Sequence, residues 1–303
     1  MGTYSEIGIF VVNLDRSASR MRWMERQLSA FDLGFTRINA IDGDRDDIAG
    51  EIARLGLTLG EVRGRPLGPR EIGCYLSHIA AFRAVKASGL KGACILEDDV
   101  ELGRHFPSVL RALAPRCGEN IVAKLEAWPK RRMGVAVARA GEFQTIYAPQ
   151  GLIETGAYFV TRQAIDAMAD LETITLPFDH ALFAERRDGP LVVSVAPAAA
   201  KQSERFQSLI QADRDAGSAA QRRMPRLVRE VLRPFVQLFA FGRAIVRVHQ
   251  RLGVRGVLNI RYHHVRLASA SGSLVRRVVK RREVEPGWSA GMGTQPAFPG
   301  DQP

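Results

Sequence analysis

A chain of 303 residues, 46% hydrophobic and 25% charged, has a globular composition and can bury one large core or one core plus an appendage. Its three cysteines, Cys74, Cys94 and Cys117, suit neither a disulfide framework nor a zinc site by their spacing, and no uninterrupted apolar stretch reaches the roughly 18 residues of a membrane span. The net charge of +11 suggests nucleic acid only until it is divided: residues 217–303 hold 16 Arg or Lys against 4 acids, which leaves the first 216 residues at −1, and no nucleic-acid partner is expected. The start, MGTYSEIGIFVVNLDR, lacks the basic region and cleavage site of a secretory signal, so reduced thiols in a cytosolic protein are expected.

In chain order, IGIFVVNL (7–14) is a continuous apolar run of the kind found in a strand covered on both faces. Helical spacing follows through Met21, Met24 and Leu28, and FTRINAID (35–42) reads as a second strand. A Gly- and charge-rich loop with one short helix runs to about residue 68. From Pro69 a helix carries the stripe Ile72, Tyr75, Leu76, Ile79, Phe82, with Pro69 and Glu71 suited to its first turn. GACILEDD, NIVAKL (120–125), QTIYA (144–148) and AYFV (157–160) read as strands and RQAIDAMADL (162–171) as a helix. This alternation predicts an α/β fold with a mostly parallel sheet, whose ligands lie beyond the carboxyl ends of the strands.

Several catalytic patterns are missing. No Gly-Lys dipeptide occurs, which excludes a P-loop, and no Gly-rich dinucleotide fingerprint follows the first strand. GWSAG (287–291) matches the nucleophile-elbow spacing but lies in a Gly- and Pro-rich end expected to be disordered. The acidic triplet Glu97, Asp98, Asp99 closes a buried-looking strand, where adjacent like charges gain nothing from folding alone. Such a triplet is either a solvated strand end or a grip on a hard divalent ion that holds a diphosphate.

Taken together and in order, IFVVNLDRSASRMRWMERQL, FTRINAIDG, GPREIGCYLSHIAAF, ACILEDDVEL, VAKL, ETGAYFVTRQAID, PFDHALF and VAPAAAKQSERFQSLI resemble glycosyltransferase family 25, the bacterial lipooligosaccharide glycosyltransferases related to the collagen galactosyltransferases. The resemblance spans about residues 7–212. It implies a GT-A-like nucleotide-binding domain that moves a hexose, galactose from UDP-galactose first, with inversion onto a saccharide of lipooligosaccharide, lipopolysaccharide or another cell-surface glycan. It also implies a divalent metal, Mn²⁺ by expectation, held by Asp99 and Asp98, with Asp98 and Glu97 open to metal or ribose.

By the same resemblance Asn13, Arg16, Glu71, Ser77, His78, Lys124, Gln202 and Ser208 are candidate donor-binding residues, and Asp179 the base that takes the acceptor's proton. Each has a plainer reading: a surface charge for Arg16, a core histidine for His78, a helix-start carboxylate for Asp179. Two positions depart from the family pattern, Phe82 for a frequent Trp and Ala157 for a frequent second Gly, and both bear on donor identity.

The predicted division is a transferase domain over residues 1–216, a basic amphipathic helical extension over 217–285 and a disordered tail over 286–303. The extension alternates apolar side chains with Arg226, Arg229, Arg233, Arg243, Arg247 and Arg251, with Pro234 as the expected break. It suits either an anionic membrane surface or a helix packed on the core. With a lipid-linked acceptor the first implies a cytoplasmic enzyme peripheral on the inner membrane. The alternative functions are a catalytically silent basic protein that binds membrane or nucleic acid, and a glycoside hydrolase, whose two carboxyl groups would have to flank a sugar rather than adjoin in sequence.

Overall fold

IGIFVVN forms β1 (Ile7–Asn13), and its alternate residues enter two different cores, Phe10 and Val12 on one face and Ile7, Ile9 and Val11 on the other. A strand apolar on both faces must lie inside a sheet covered on both sides. The computed structural model describes residues 6–62, 65–128, 130–186, 188–206 and 226–267, with backbone only for 226–238.

The remaining elements in the first half are α1 (Ala18–Ser29), β2 (Thr36–Asn39), α2 (Ile48–Arg54), β3 (Thr58–Leu59), α3 (Pro69–Ser88), β4 (Gly92–Glu97), β5 (Val100–Leu102) and α4 (Phe106–Leu113). They continue with β6 (Ile121–Lys124), β7 (Arg132–Ala140), β8 (Phe143–Tyr147), β9 (Ala157–Thr161), α5 (Arg162–Asp166), β10 (Thr173–Ile174) and α6 (Phe178–Leu182). The last are β11 (Leu191–Ala196), β12 (Ala200–Gln202), α7 (Arg226–Leu258) and β13 (Arg261–His263).

Nine strands form one sheet in the order β13-β7-β8-β11-β6-β9-β4-β1-β2. The α/β class is as read. In detail the sheet is mixed: β2-β1-β4 and β6-β11 are parallel, while β9 runs antiparallel between β4 and β6, and β8, β7 and β13 continue antiparallel beyond β11. Helix α3 buries Tyr75, Leu76, Ile79, Phe82 and Val85 against one face. On the other, α1 supplies Met24 and Leu28, and α4 supplies Phe106, Val109 and Leu110. The apolar stripe predicted from Pro69 onward is therefore the stripe that docks. The helix expected over 162–171 is shorter, five residues of α5 followed by a 3-10 turn at Ala169–Glu172.

The C-terminal segment departs most from the sequence reading. Strand β13 pairs with β7, the Trp128 N–H donates to the Val265 carbonyl at 2.7 Å, and Val265 is buried in the main core. A compact unit spans Met1–Gly272, so the sheet does not end at the boundary drawn after residue 216. Helix α7 leaves helical geometry at Gly253, where φ is 66°, rather than at Pro234. That φ favours glycine because it carries no Cβ. Ala244 and Val248, one turn apart, are buried, and Leu252 continues their row against Val135 and Tyr147. Arg247 donates to the Pro149 carbonyl at 2.9 Å and Arg251 to Glu185 at 2.7 Å, so these two arginines face the fold. Residues 286–303, with GWSAG, lie outside the described residues.

Docking of α7 predicts an asymmetry between two valines. Val248→Asp buries an unpaired charge and lowers urea-unfolding stability by roughly 2–4 kcal/mol, whereas Val254→Asp, on an exposed position, changes it by about 0.5 kcal/mol or less. Equal effects would contradict the docking.

Candidate active site

Strand register gathers the polar residues at one edge of the sheet. Because Val12 of β1 lies beside Glu97 of the parallel β4, the next residues of both strands emerge together, and Asn13 Nδ2 donates to Asp98 Oδ2 at 2.7 Å. Antiparallel β9 starts at the same edge, with Ala157 beside Leu96, and the Thr155 hydroxyl just before it donates to Glu97 Oε1 at 2.9 Å. Gly156 between them is required by space, since a Cβ there would stand 2.6 Å from the Glu126 carboxylate. The antiparallel pairing of β12 with β5 sets Gln202 opposite Val100, and Gln202 Nε2 donates to Asp99 Oδ2 at 3.2 Å.

Asp98 and Asp99 are both buried, 7% and 5% exposed. Burial pushes the Asp98 carboxyl up, opposed by hydrogen bonding from Asn13 and the charge of Arg20. Burial, with the charge of Glu97 adding to it, pushes Asp99 up to about 7. Burial alone would also raise Glu97, but hydrogen bonding and charge from His78, with the Thr155 hydroxyl, outweigh it and hold that carboxyl below its ordinary value. Arg20 Nη1 spans the aspartates, 3.1 Å from Asp98 Oδ1 and 3.4 Å from Asp99 Oδ2. Asp99 Oδ1 is buried without a hydrogen-bond partner among the described residues.

This donor set fits a hard divalent cation. Two adjacent carboxylates, one with an oxygen left over, already draw a positive group between them, and oxygen-only ligands suit Mg²⁺ or Mn²⁺. Asp99 and Asp98 would hold the ion, with Gln202 beside them.

The other predicted residues divide. Asp179 starts α6, accepts the backbone N–H of His180 at 2.9 Å and of Glu154 at 3.1 Å, and lines a cleft with Glu97, Thr155 and Gln202. It is both a helix-start carboxylate and a cleft residue. His78 is fully buried at the cleft's back, with Nδ1 3.0 Å from Tyr158 Oη and Nε2 3.4 Å from Glu97 Oε1. Glu71 reaches the cleft wall but is gripped by Arg65 at 2.5 and 2.6 Å and accepts the Gly68 N–H at the start of α3.

Three others are taken up by bonds away from the triplet. Ser77 bonds the Gly73 carbonyl and the Ile41 N–H, which fastens the end of β2 to α3. Arg16 is held by Asp42 at 2.8 Å and Asp44 at 3.5 Å. Lys124 is buried, donating to Glu126 and to the Glu154 carbonyl, each at 2.7 Å, so it braces the site from behind instead of facing a phosphate. Ser208 lies outside the described residues. Phe82 and Ala157 are buried, Phe82 packing edge-on to Phe178, so neither departure lies on the cleft surface.

Sequence reasoning missed Arg20, Thr155 and Glu126. Arg16 and Arg20 are one helical turn apart, and spacing alone does not say which of the two turns toward the triplet. Thr155 stood in a quoted motif without a role, and Glu126 follows Lys124 at the alternate position of an extended segment.

An α/β domain with acidic side chains gathered beyond parallel strand ends holds them where the ligands of such sheets bind. The chain belongs to glycosyltransferase family 25: the model of that family, described as an LPS biosynthesis protein, matches residues 6–182. It is similar to the human protein named inactive glycosyltransferase 25 family member 3, 28% identical over 165 residues, 52% of this chain and 27% of that protein. It is also similar to procollagen galactosyltransferase 1 of Danio rerio, 30% identical over 110 residues, 35% of this chain and 18% of that protein. The chain thus matches about a quarter or less of the length of these relatives. A solved glycosyltransferase involved in glycosylation of the major capsid of PBCV-1 aligns over 69% of this chain and 97% of its own, at 12% identity and a TM-score of 0.35, a likeness too weak to add to the family match.

The raised Asp99 carboxyl sets a pH dependence. The metal-free folded state keeps a proton up to about 7 that an ordinary aspartate releases near 3.8, so this contribution to stability is present at acid pH and is lost as pH rises through about 7. With chelator present, Asp99→Asn is expected to remove that loss and to exceed the wild type at about pH 8 by roughly 1–3 kcal/mol in urea unfolding. An unchanged pH slope in the variant would contradict the assignment.

Proposed function

We propose that this chain is an active, inverting, metal-dependent hexosyltransferase that uses a UDP-sugar, with UDP-galactose as the first donor to test. The observation that carries the reading is that buried Asp98 and Asp99, one oxygen without a partner, stand directly behind Glu97 and Gln202, which line the same cleft as Asp179. A bound divalent ion, Mn²⁺ in this proposal, would supply Lewis-acid stabilisation of the departing nucleoside diphosphate.

The chain's own residues then have separate tasks. Asn13 holds the Asp98 carboxylate in place at one end, and Arg37 Nε in turn donates to Asn13 Oδ1 at 3.0 Å. Glu97, oriented by Thr155, is placed to accept from a ribose or sugar hydroxyl. Arg20 offers positive charge beside a diphosphate, and Gln202 offers an amide. Asp179 accepts the proton of the acceptor hydroxyl; backbone N–H groups on both of its oxygens hold the carboxylate in a fixed orientation.

The acceptor proposed is a lipid-linked saccharide of lipooligosaccharide or lipopolysaccharide, met at the cytoplasmic face of the inner membrane. The family description supports the first half of this. For the second, α7 exposes Phe239, Val246 and Val254 outside the row that docks, with Arg243 against the Phe239 ring at 4.8 Å, and these suit an anionic surface. No helix among the described residues is long and apolar enough to cross a membrane. A human relative named as inactive supplies the competing reading, a member of the family without turnover.

Purified protein with Mn²⁺ is expected to hydrolyse or transfer from a UDP-sugar, and Asp99→Asn to lower that rate by at least about 100-fold because an amide is a poor partner for a divalent ion. Asp179→Asn should lower transfer while leaving Mn²⁺-dependent UDP binding intact. No turnover of any UDP-sugar in the wild type would favour the inactive reading, and loss of UDP binding in Asp179→Asn would move that residue to the donor side.

A further inference from the structure

Cys74 and His78 stand one turn apart on α3, and Glu97 ends β4 beside them. The thiol sulfur, a ring nitrogen and a carboxylate oxygen lie within 4.8 Å of one another. We propose that Cys74, His78 and Glu97 form a second metal site, separate in its chemistry from the aspartate pair, that takes a zinc-type ion and draws Glu97 away from the donor when filled.

The ligand types select the ion. Thiolate, imidazole and carboxylate together are a zinc set, three protein ligands with a fourth position open, whereas Mg²⁺ and Mn²⁺ prefer oxygen alone. The spacing agrees. His78 Nε2 and Glu97 Oε1 are 3.4 Å apart, and two ligands at zinc bond lengths of about 2.0–2.1 Å around a tetrahedral centre sit about 3.3 Å apart. A turn of the Cys74 side chain brings in the sulfur.

The surroundings already orient each ligand. His78 Nδ1 is 3.0 Å from Tyr158 Oη, so a proton can stay on Nδ1 when Nε2, which hydrogen-bonds to Glu97 in the metal-free site, turns its lone pair to an ion. The ring plane is fixed by Phe178, stacked at 4.4 Å and 1°. The Thr155 hydroxyl holds Glu97 Oε1 at 2.9 Å. Cys74 is half-buried and lines the cleft, which opens a route for the ion. On binding, the Cys74 thiol proton and the proton shared between His78 Nε2 and Glu97 are both released to solvent, and the sulfur becomes the third ligand.

A filled site would withdraw Glu97 from the cleft and hold Phe178, the neighbour of Asp179. Zinc would therefore act against donor binding, a consequence that rests on the proposed transferase reading through the shared cleft alone. Counting cysteines could not reveal the site, because a single thiol joins a histidine four residues on and an acid from another element.

The test uses cobalt as a spectroscopic stand-in for zinc, on the full chain freed of metal by chelator and with no donor present. One equivalent of Co²⁺ should give a near-ultraviolet thiolate-to-cobalt band and the intense visible bands of a four-coordinate ion, and Zn²⁺ should bleach both. Cys74→Ala should lose the thiolate band with unchanged circular dichroism, and Glu97→Gln should bind Co²⁺ at least about tenfold more weakly. In the wild type, zinc should slow alkylation of Cys74 by about tenfold or more, which keeps the test sound if the alanine variant fails to fold. Absence of a thiolate band, its survival in Cys74→Ala, or alkylation indifferent to zinc would overturn the proposal. If the band appears in a protein that turns over no UDP-sugar, the metal site stands and the transferase reading falls.

Discussion

Two buried carboxylates side by side are the constraint on which the rest of this structure turns. Carboxylates out of water and next to one another resist ionisation, and the fold sets a cost against its own stability by putting Asp98 and Asp99 there. Arg20, Asn13 and Gln202 meet part of that cost, and Asp99 still keeps an oxygen without a partner. A cation bound between them would offset that cost and would couple its binding to the stability of the strand ends.

The topology serves that edge. Parallel β1 and β4 bring Asn13 and the triplet out together, while antiparallel β9 delivers Thr155 from the opposite chain direction to the same place. Behind them the buried Lys124–Glu126 pair ties β6 to the Glu154 carbonyl, and the Glu154 N–H in turn holds Asp179. The carboxylate cluster and Asp179 are thus joined through one short segment, residues 154–156, whose glycine leaves room for Glu126.

Much of this was legible in the sequence, and what was not has physical reasons. Strands apolar on both faces and the α3 stripe carry strong periodic signals, and β1, β4, β6, β9 and α3 appear where the pattern sets them. The strand β7 did not show, because RMGVAVARA is mostly Ala, Arg and Gly and gains its order from β8 and β13. The basic C-terminal helix looked detachable, since charge division along the chain ignores that successive turns bury Ala244 and Val248 while Arg247 and Arg251 bond back to the fold. Within the site, residue type was readable and direction was not. Arg16 and Arg20 have the same spacing signal, yet Arg20 meets the aspartates while Arg16 turns to Asp42; Ser77 and Lys124 are polar residues spent on internal bonds.

The central claim is that the Asp98–Asp99 pair is a cation site kept partly protonated until the ion arrives. Calorimetric titration of Mn²⁺ into the metal-free protein, repeated in buffers of different ionisation enthalpy, counts the protons released on binding. The account predicts release approaching about one proton per ion near pH 6, falling toward zero near pH 8.5 as Asp99 ionises on its own, about pH 7 being the midpoint. Binding with no proton release across that range, or no Mn²⁺ binding at all, would contradict it.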